Sequence, residues 1–496
     1  VINPTPRAAR LLVLLAAFVC AACGLVYELE LVALGSYLLG DSVTQASVVL
    51  SVMVCAMGVG SLLAKRFTLR PAASFALVES LLALVGGLSV IALYGCYVWL
   101  GHYQVALVGF ASLIGLLIGA EIPLLMTLMQ RIRRQEAGRA VADLFAADYV
   151  GALVGGLAFP FLLLPTLGQL TGALLTGVVN TVAGGLIAFW LFRAEPAPRV
   201  RLLLGLCSGV VVVVLALAWA GSGAFERAAQ RRLYGGPVRV SAQSRFQQII
   251  LTGGAGGTDR SADAARLYLS GRLAVCGHDQ AAYHADLTRP ALRGGRRARV
   301  LVLGGGDGLA ARQILAAPGV RRVTVVEQDP VLLRLGTDDP VLRELNGAAL
   351  ADPRVQTVTA DAFGWLRTAP VQEHPYDVIV ADLPSAGLDA ADKLYTREFY
   401  GLVRRMLAPG GRLVVHAADH LWSVADTLRA VGLTPHAYLA AGRDAVACGE
   451  LPAGDATWHF VLASATTLPR SALQDVQPLT EPTGTPSRVA TLLGPL

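Results

Sequence analysis

Four carboxylates in the second half of the chain stand where short apolar runs give way to turns: Asp307 in "VLVLGGGDGLAAR", Glu327 in "VVEQDP", Asp361 in "VTADAF" and Asp382 in "YDVIVADLP". The first lies inside a glycine-rich turn of the kind that receives phosphate. Gly306, Gly308 and Ala311 fit G-x-G-x-x-A, and Glu327 follows about 20 residues later, so the outline of a dinucleotide fingerprint is present. A carboxylate in that turn would repel a pyrophosphate, whereas it would attract a sulfonium or an ammonium group. Gly304, Gly306 and Asp307 therefore read as the cradle of a cationic nucleoside.

S-adenosylmethionine or its decarboxylated form has the required chemistry: adenosine, no phosphate, a positive sulfur and an amine. Glu327 can accept both ribose hydroxyls, as an acid at this place does in nucleoside-binding sheets. Asp361 and Ala362 can receive the adenine amino group and backbone contacts. Each acid taken singly could be a helix N-cap; four at successive strand ends are hard to assign to capping alone.

The elements that must position these groups follow a βα alternation. Strands are expected at Arg299 to Leu303, Arg322 to Glu327, Val355 to Val358, Tyr376 to Ala381 and Arg412 to His416, with helices between them. Such a pattern gives a mostly parallel α/β sheet covered on both faces, with ligands beyond the carboxyl ends of the strands. Before it, the runs Phe246 to Leu251 and Leu267 to Leu273, separated by Gly253 to Gly257, suggest a small β-ribbon.

The first half is of another kind. The chain of 496 residues is 54% hydrophobic and 15% charged, with a mean hydropathy of +0.56, too apolar for an ordinary soluble protein. The excess lies in about seven stretches of membrane-crossing length: Leu11 to Leu38, Thr44 to Leu63, Ala73 to Trp99, Val105 to Leu128, Val141 to Leu164, Leu170 to Leu191 and Leu202 to Ala220. The expected order is a multi-pass α-helical membrane domain at 1–222, a linker at 223–236, the β-ribbon at 237–297, the nucleoside-binding domain at 298–465 and a flexible tail at 466–496. Basic residues cluster at Arg7 and Arg10, at Lys65, Arg66 and Arg70, at Arg131 to Arg139 and at Arg193 to Arg201; these loops should be cytoplasmic. Seven crossings would then deliver the second half outside, whereas supply of a nucleoside metabolite favours the cytoplasm. We take the cytoplasmic side of a bacterial inner membrane as the expectation.

Inside the apolar stretches lie Glu28, Glu30, Glu79, Glu121 and Asp148, with no evident Lys or Arg partner. A carboxylate there costs several kcal/mol unless it meets water, a cation or a hydrogen-bond donor. They are either interfacial, protonated or hydroxyl-bonded groups, or the lining of a cation or polyamine path. Of the seven cysteines, Cys276 and Cys448 lie far apart in the second half; neither a disulfide framework nor a zinc site is indicated, and no metal is expected. A net charge of +6 without an aromatic-interleaved basic stripe argues against nucleic acid.

At this point a family resemblance becomes visible. "RFQQIILT", "LSGRLAVCGHDQAAYHADLTRPAL", "VLVLGGGDGLAAR", "VVEQDP", "DPRVQTVTADAFGWLR", "YDVIVADLP" and "KLYTREFY" resemble the spermidine synthases, the polyamine aminopropyltransferases. "GLVYELEL", "SYLLGDSV", "AMGVGS", "GAEIPLL" and "DYVGAL" are similar to their membrane-fused bacterial relatives, so that nearly the whole chain to about Ala465 is covered. The resemblance implies a Rossmann-like, class I methyltransferase-type sheet. It also implies that Gln247, Glu327, Asp361 and Ala362 contact the adenosyl part, that His284 and Asp307 hold the aminopropyl amine, and that Asp382 is the proton acceptor. Tyr283 would wall the diamine pocket, with Trp458 adding to it and Asp279 nearby. Relatives of this type generally associate as dimers or larger assemblies, which the resemblance implies for this chain.

Departures from the family pattern fall on one side of the site. The usual D-x-x-D-P reads "DLPSA", placing Ser385 where a second acid would contact the diamine; "LDG" is "LSG" at Leu269 to Gly271; "DE" is Asp279 followed by Gln280; and Ala274 and Phe246 replace a glutamine and a tyrosine. The donor side is kept while the second-ammonium side is depleted. Aminopropyl transfer to a polyamine, another S-adenosylmethionine-type reaction (methyl or aminocarboxypropyl transfer, or cyclisation of the donor), and a non-enzymatic transporter or sensor all stay open on sequence.

Overall fold

The computed structural model describes residues 6–39, 42–132, 137–191, 197–253, 262–369, 375–384, 391–417, 420–440, 448, 458–474, 476–482 and 488–494. These form two compact units, Val1–Leu233 and Tyr234–Leu496.

The first unit is built of helices α1 (Pro6–Leu39), α2 (Ser42–Ala64), α3 (Pro71–Gly95), α4 (Tyr103–Ile132), α5 (Ala137–Ala158), α6 (Leu164–Leu186) and α7 (Pro198–Leu233). Among the described residues, six helical segments are long and apolar enough to cross a membrane; the fifth, Val141–Leu191, takes in most of α5 and all of α6. Close approaches at small residues give the helix directions. Gly151 and Gly155 of α5 meet Phe18 and Ala22 of α1 in parallel order, whereas Gly177 and Gly184 of α6 meet Ala83 and Glu79 of α3 in reverse order. The chain turns back between them, where Gly168 adopts φ +73°. Tyr27 of α1 packs on Gly86 of α3, and Ser80 of α3 bonds Ser208 of α7 at 3.1 Å with Leu215 against Gly87 one turn pair further. Met53 and Met57 of α2 meet Gly115 and Gly119 of α4, while Ile118 of α4 meets Gly24 of α1. Together these contacts run α1, α3, α5 and α7 one way and α2, α4 and α6 the other. The linker expected at 223–236 is helix as far as Leu233, because Phe225 packs on Tyr94 and Trp99 at ring separations of 6.3 and 5.7 Å and holds α7 together beyond Gly221 and Gly223.

The second unit opens with an antiparallel ribbon of β1 (Val238–Gln243), β2 (Gln248–Thr252), β3 (Arg266–Leu269) and β4 (Arg272–Cys276). The run Leu267 to Leu273, expected as one strand, is a hairpin: Ser270 and Gly271 take φ of +48° and +78°, the two positive values of a type I′ turn. Next come α8 (Gln280–Leu292), β5 (Arg299–Gly304), α9 (Leu309–Leu315), β6 (Arg322–Glu327), α10 (Pro330–Asp338), α11 (Pro340–Leu345), β7 (Val355–Thr359), α12 (Ala362–Thr368), β8 (Tyr376–Asp382), α13 (Arg397–Met406), β9 (Leu407–His416), α14 (Leu421–Ala430), β10 (Thr434–Ala440), β11 (Trp458–Ser464) and β12 (Gln477–Pro478). The large sheet has the order β12-β10-β11-β9-β8-β5-β6-β7. Strands β5 to β9 are parallel, with buried apolar runs in β5, β6, β8 and the second half of β9 and a half-polar edge strand in β7; β10, β11 and β12 add antiparallel pairs. The chain moves outward from β5 through β6 to β7 and then returns to place β8 on the other side of β5, which makes the β5/β8 boundary a topological switch point.

The tail expected to be flexible is docked where it is described: β12 pairs with β10, Ala490 is buried, and its backbone exchanges hydrogen bonds with Arg397 and Thr427. Its apolar and backbone groups find partners that composition alone does not reveal.

Candidate active site

The switch point brings together Gly304, Gly306, Asp307, Glu327, His284 and Asp382. Gly304 ends β5 beside Asp382 at the end of β8. A Cβ on Gly304 would fall 2.1 Å from the Asp382 carbonyl oxygen, and one on Gly306 would fall 2.6 Å from the Glu327 side chain. The glycines are therefore needed for strand ends and turn to approach this closely.

Asp307 is fixed at both ends. Its carboxylate accepts from the Leu309 N–H at 2.9 Å, the first turn of α9, and its carbonyl accepts from Asn346 at 2.7 Å. Burial pushes its pKa up to about 6, with His284 pulling down and Asp382 pushing further up. Glu327 accepts from the N–H groups of Asp329 (2.8 Å) and Gly306 (3.3 Å). Burial outweighs those bonds and lifts it to about 7.

His284, on α8, donates Nδ1–H to the Gln280 carbonyl at 2.7 Å, since a carbonyl can only accept. Its Nε2 then faces Asp382, 3.7 Å from a carboxylate oxygen. Burial disfavours the imidazolium, but Asp382 and Asp307 outweigh it and raise the pKa above the ordinary value. A ring nitrogen of His284 and one oxygen from each of Asp307 and Asp382 lie within 4.8 Å of one another. That donor set suits an ammonium group as well as it suits a divalent cation.

Tyr283 forms an aromatic wall, with Trp458 at 5.2 Å, Phe460 at 5.6 Å and His416 at 5.5 Å between ring centroids. Gln247 donates to the Asp329 carboxylate at 3.0 Å, and Asp329 in turn donates its N–H to Glu327. Asp361 behaves as a cap: it accepts from the Gly364 N–H at 2.8 Å and pairs with Lys393 at 2.7 Å. Burial raises its pKa, but Lys393 and the Gly364 N–H outweigh this and hold it below the ordinary carboxylate value. Ala362 follows, buried at the start of α12. Ser385 lies outside the described residues.

Asp279 precedes α8 with one oxygen 3.4 Å from Cys448 Sγ. Cys448 in turn forms a disulfide with Cys276, their Cα atoms 5.9 Å apart across 172 residues of sequence. This corrects the expectation that no disulfide is present: separation along the chain says nothing about distance once the sheet brings both ends to one place. The only signal in the sequence was that these are the only two cysteines beyond Cys207. Sequence reading also missed Asn346, Asp329, His416 and Tyr395, whose hydroxyl donates to the Pro384 carbonyl at 2.8 Å just beyond Asp382. Nothing local marks these residues, because their role comes from tertiary neighbours.

The spermine/spermidine synthase domain matches residues 280–438. Polyamine aminopropyltransferase 2 of Streptomyces coelicolor is 54% identical over 488 residues, covering 93% of this chain and 86% of that protein. The chain belongs to the polyamine aminopropyltransferases. The polyamine aminopropyltransferase of Mycobacterium tuberculosis is 41% identical over 443 residues, covering 86% of this chain and 82% of that protein. Among solved structures, a spermidine synthase in complex with the transition-state analogue AdoDATO has 20% identity and a TM-score of 0.40, covering 48% of this chain and 76% of that one. By its identity to the Streptomyces and Mycobacterium proteins and its match to the synthase domain, the chain is a transferase of the spermidine synthase type. The matched domain contains Tyr283, His284, Asp307, Glu327, Asp361 and Asp382; Gln247 and Trp458 lie outside it.

Proposed function

We propose that the chain is a membrane-anchored enzyme that moves the aminopropyl group of decarboxylated S-adenosylmethionine to putrescine or another polyamine and releases methylthioadenosine. The convergence of His284, Asp307 and Asp382 beside Tyr283 carries this reading. The donor's amine would donate to the Asp307 carboxylate and to Nε2 of neutral His284, with Glu327 on the ribose and Gln247, Asp361 and Ala362 around the adenosine. The acceptor nitrogen, held neutral, forms a bond to the carbon next to sulfur. The carbon–sulfur bond breaks with its electron pair going to sulfur, so the sulfonium leaves as an uncharged thioether. Asp382 takes the proton that the attacking nitrogen must lose, and Tyr283, with Trp458, shields the acceptor's methylenes from water.

Purified protein given either the decarboxylated or the intact donor, with and without putrescine or spermidine, should yield aminopropylated polyamine and methylthioadenosine only from the decarboxylated donor with an acceptor. A chelator should leave the rate unchanged. A methylated product, or methylthioadenosine formed equally fast with no acceptor, would overturn the assignment.

For the side of the membrane, the bundle favours the alternative to the cytoplasmic expectation. The four basic clusters flank the N-terminal ends of α1, α3, α5 and α7, which all point the same way. These ends should be cytoplasmic, and the chain leaves α7 at the opposite end. Arg227, Arg231 and Arg232 lie near that exit, but α7 has 36 residues, about 54 Å against a core of about 30 Å, and so runs past the apolar layer. The Cys276–Cys448 disulfide suits an oxidising, extracytoplasmic compartment. A membrane-impermeant maleimide applied to intact cells should label Glu344→Cys, and should label Arg70→Cys only after lysis; the reverse pattern would return the catalytic unit to the cytoplasm.

A further inference from the structure

The helical unit buries three carboxylates, Glu30 of α1, Glu79 of α3 and Glu121 of α4; among its described residues no Lys, Arg or His is buried with them. Cys20, Cys23, Tyr27 and Glu30 follow one another on α1 at intervals of three, four and three residues, and so share one face. At one end of this face the Cys20 thiol and the carboxylates of Glu79 and Glu121 come within 4.8 Å of one another. Ten residues further, about 15 Å along the axis, the Glu30 carboxylate lies against Gly172 of α6.

The middle of the face is also polar and unsatisfied. Tyr27 is fully buried and lies within electrostatic reach of Glu30, Glu79 and Glu121. Asn180 of α6 is fully buried one turn before Gly184, which abuts Glu79, and two turns beyond Gly172, which abuts Glu30. The Tyr27 hydroxyl, both side-chain atoms of Asn180, both oxygens of Glu30 and one oxygen of Glu121 have no hydrogen-bond partner among the described residues. A buried amide with neither its donors nor its acceptor used is costly, and protonating the acids would leave it unsatisfied.

We infer that this face is a binding site for a linear polyamine within the membrane-spanning bundle, separate from the catalytic pocket. One ammonium group is held by Glu79 and Glu121, a second by Glu30; the methylenes lie along Cys23 and the Tyr27 ring, with Asn180 and the Tyr27 hydroxyl bonding an intervening amine. An aromatic face beside an ammonium adds attraction. A single metal ion would use Cys20, Glu79 and Glu121 and leave Glu30 and Asn180 as they are, whereas an elongated polycation meets all of them. The choice of a polyamine over other linear diammonium compounds rests on the acceptor class proposed above; the site itself does not.

Equilibrium dialysis of labelled spermidine against the full chain in lipid nanodiscs tests this. Wild type should bind at two sites. Asp307→Asn/Asp382→Asn should retain one, and adding Glu79→Gln/Glu121→Gln should weaken that one at least tenfold. Glu30→Gln, an isosteric change, should weaken spermidine several-fold more than butylamine, which is too short to span both ends; a folding defect would weaken both alike. Loss of all binding in the Asp307→Asn/Asp382→Asn protein, equal effects of Glu30→Gln on the two amines, or Zn²⁺ uptake by the bundle that spermidine does not displace would each overturn the inference. The product assay above is read separately, so the two readings fail independently.

Discussion

Asp307 and Glu327 in the C-terminal unit are 8% and 7% exposed, and Glu121 and Glu79 in the helical unit are 3% and 0% exposed, yet the two pairs are supported in different ways. Strand ends and the turns after them leave backbone N–H groups unused, and Asp307 and Glu327 accept from three of these, at Leu309, Gly306 and Asp329. A continuous helix spends its N–H groups on its own carbonyls. An acid pointing inward from the middle of α3 or α4 finds no such donor and depends on side chains or a ligand. Burial of a carboxylate is thus informative in the sheet unit for what surrounds it, and in the bundle for what is missing.

The sharpest way to break this comparison is at Asp382. Changing it to Asn keeps shape and removes the base, so kcat should fall by about 10²–10⁴-fold, the usual contribution of a positioned proton acceptor. Donor affinity should shift by less than about threefold, because Asp307 and Glu327 remain. A rapid-quench product assay beside a binding isotherm separates the two. Equal losses in both would make Asp382 a binding group rather than the base.

Asp307→Asn should show the opposite split. A charge-assisted hydrogen bond to the donor's amine is worth about 1.5–3 kcal/mol, so the donor's Kd should rise by about 10–100-fold. The uncharged product methylthioadenosine should bind almost as before. If both ligands weaken together, Asp307 is holding the turn through Leu309 and Asn346 rather than meeting a charge.

How far all this could be read from residues alone differs between the same two regions. Strands β5, β6 and β8 were legible because buried parallel strands read as nearly uninterrupted apolar runs, with Asp307, Glu327 and Asp382 at or just beyond their ends; the half-polar edge strand β7 was legible only from the βα alternation. Strands β10 and β11 were not, although each has seven residues, because proline, histidine or tryptophan interrupts their apolar residues and they add antiparallel to the βα alternation; β12 has only two residues. The hairpin at Ser270 and Gly271 was hidden by apolar residues on both sides of a two-residue turn. In the bundle the spans were visible from length, and the acids from their oddity. That Cys20, Tyr27 and Glu30 share a face with Glu79, Glu121 and Asn180 needed the packing of four helices.

A smaller effect should appear with pH. Without ligand Asp307 titrates at about 6 and Glu327 at about 7, and both must be ionised to serve a cation and the ribose hydroxyls. The protonated acids bind it weakly, and so does protonated His284, whose pKa Asp382 and Asp307 hold above the ordinary value, so donor affinity should fall as pH drops through 7 and then 6, by about tenfold per unit where one proton is coupled, and level off once His284 and both acids have lost their protons. Calorimetry in buffers of different ionisation enthalpy should register proton release on binding. In Asp307→Asn the lower step should vanish, and affinity that stays flat from pH 5 to 8 would contradict the high values that burial imposes.

The smallest expected change is at Asp361, which is paired with a lysine side chain. It caps α12 through Gly364 and pairs with Lys393, whose side chain is 45% exposed. Asn caps a helix about as well as Asp, whereas Ala costs about 1 kcal/mol, and an exposed ion pair adds about 0–1 kcal/mol. Asp361→Asn should therefore leave the unfolding of the C-terminal unit in urea within a few tenths of a kcal/mol of wild type, and Asp361→Ala should lower it by about 1 kcal/mol. If Asn proves as costly as Ala, the Lys393 charge rather than the cap holds this corner, and Asp361 would rest on the interaction that salt screens most easily. Repeating the Asn measurement at high salt decides it: a loss that disappears in salt belongs to the ion pair, and one that persists belongs to the start of the helix.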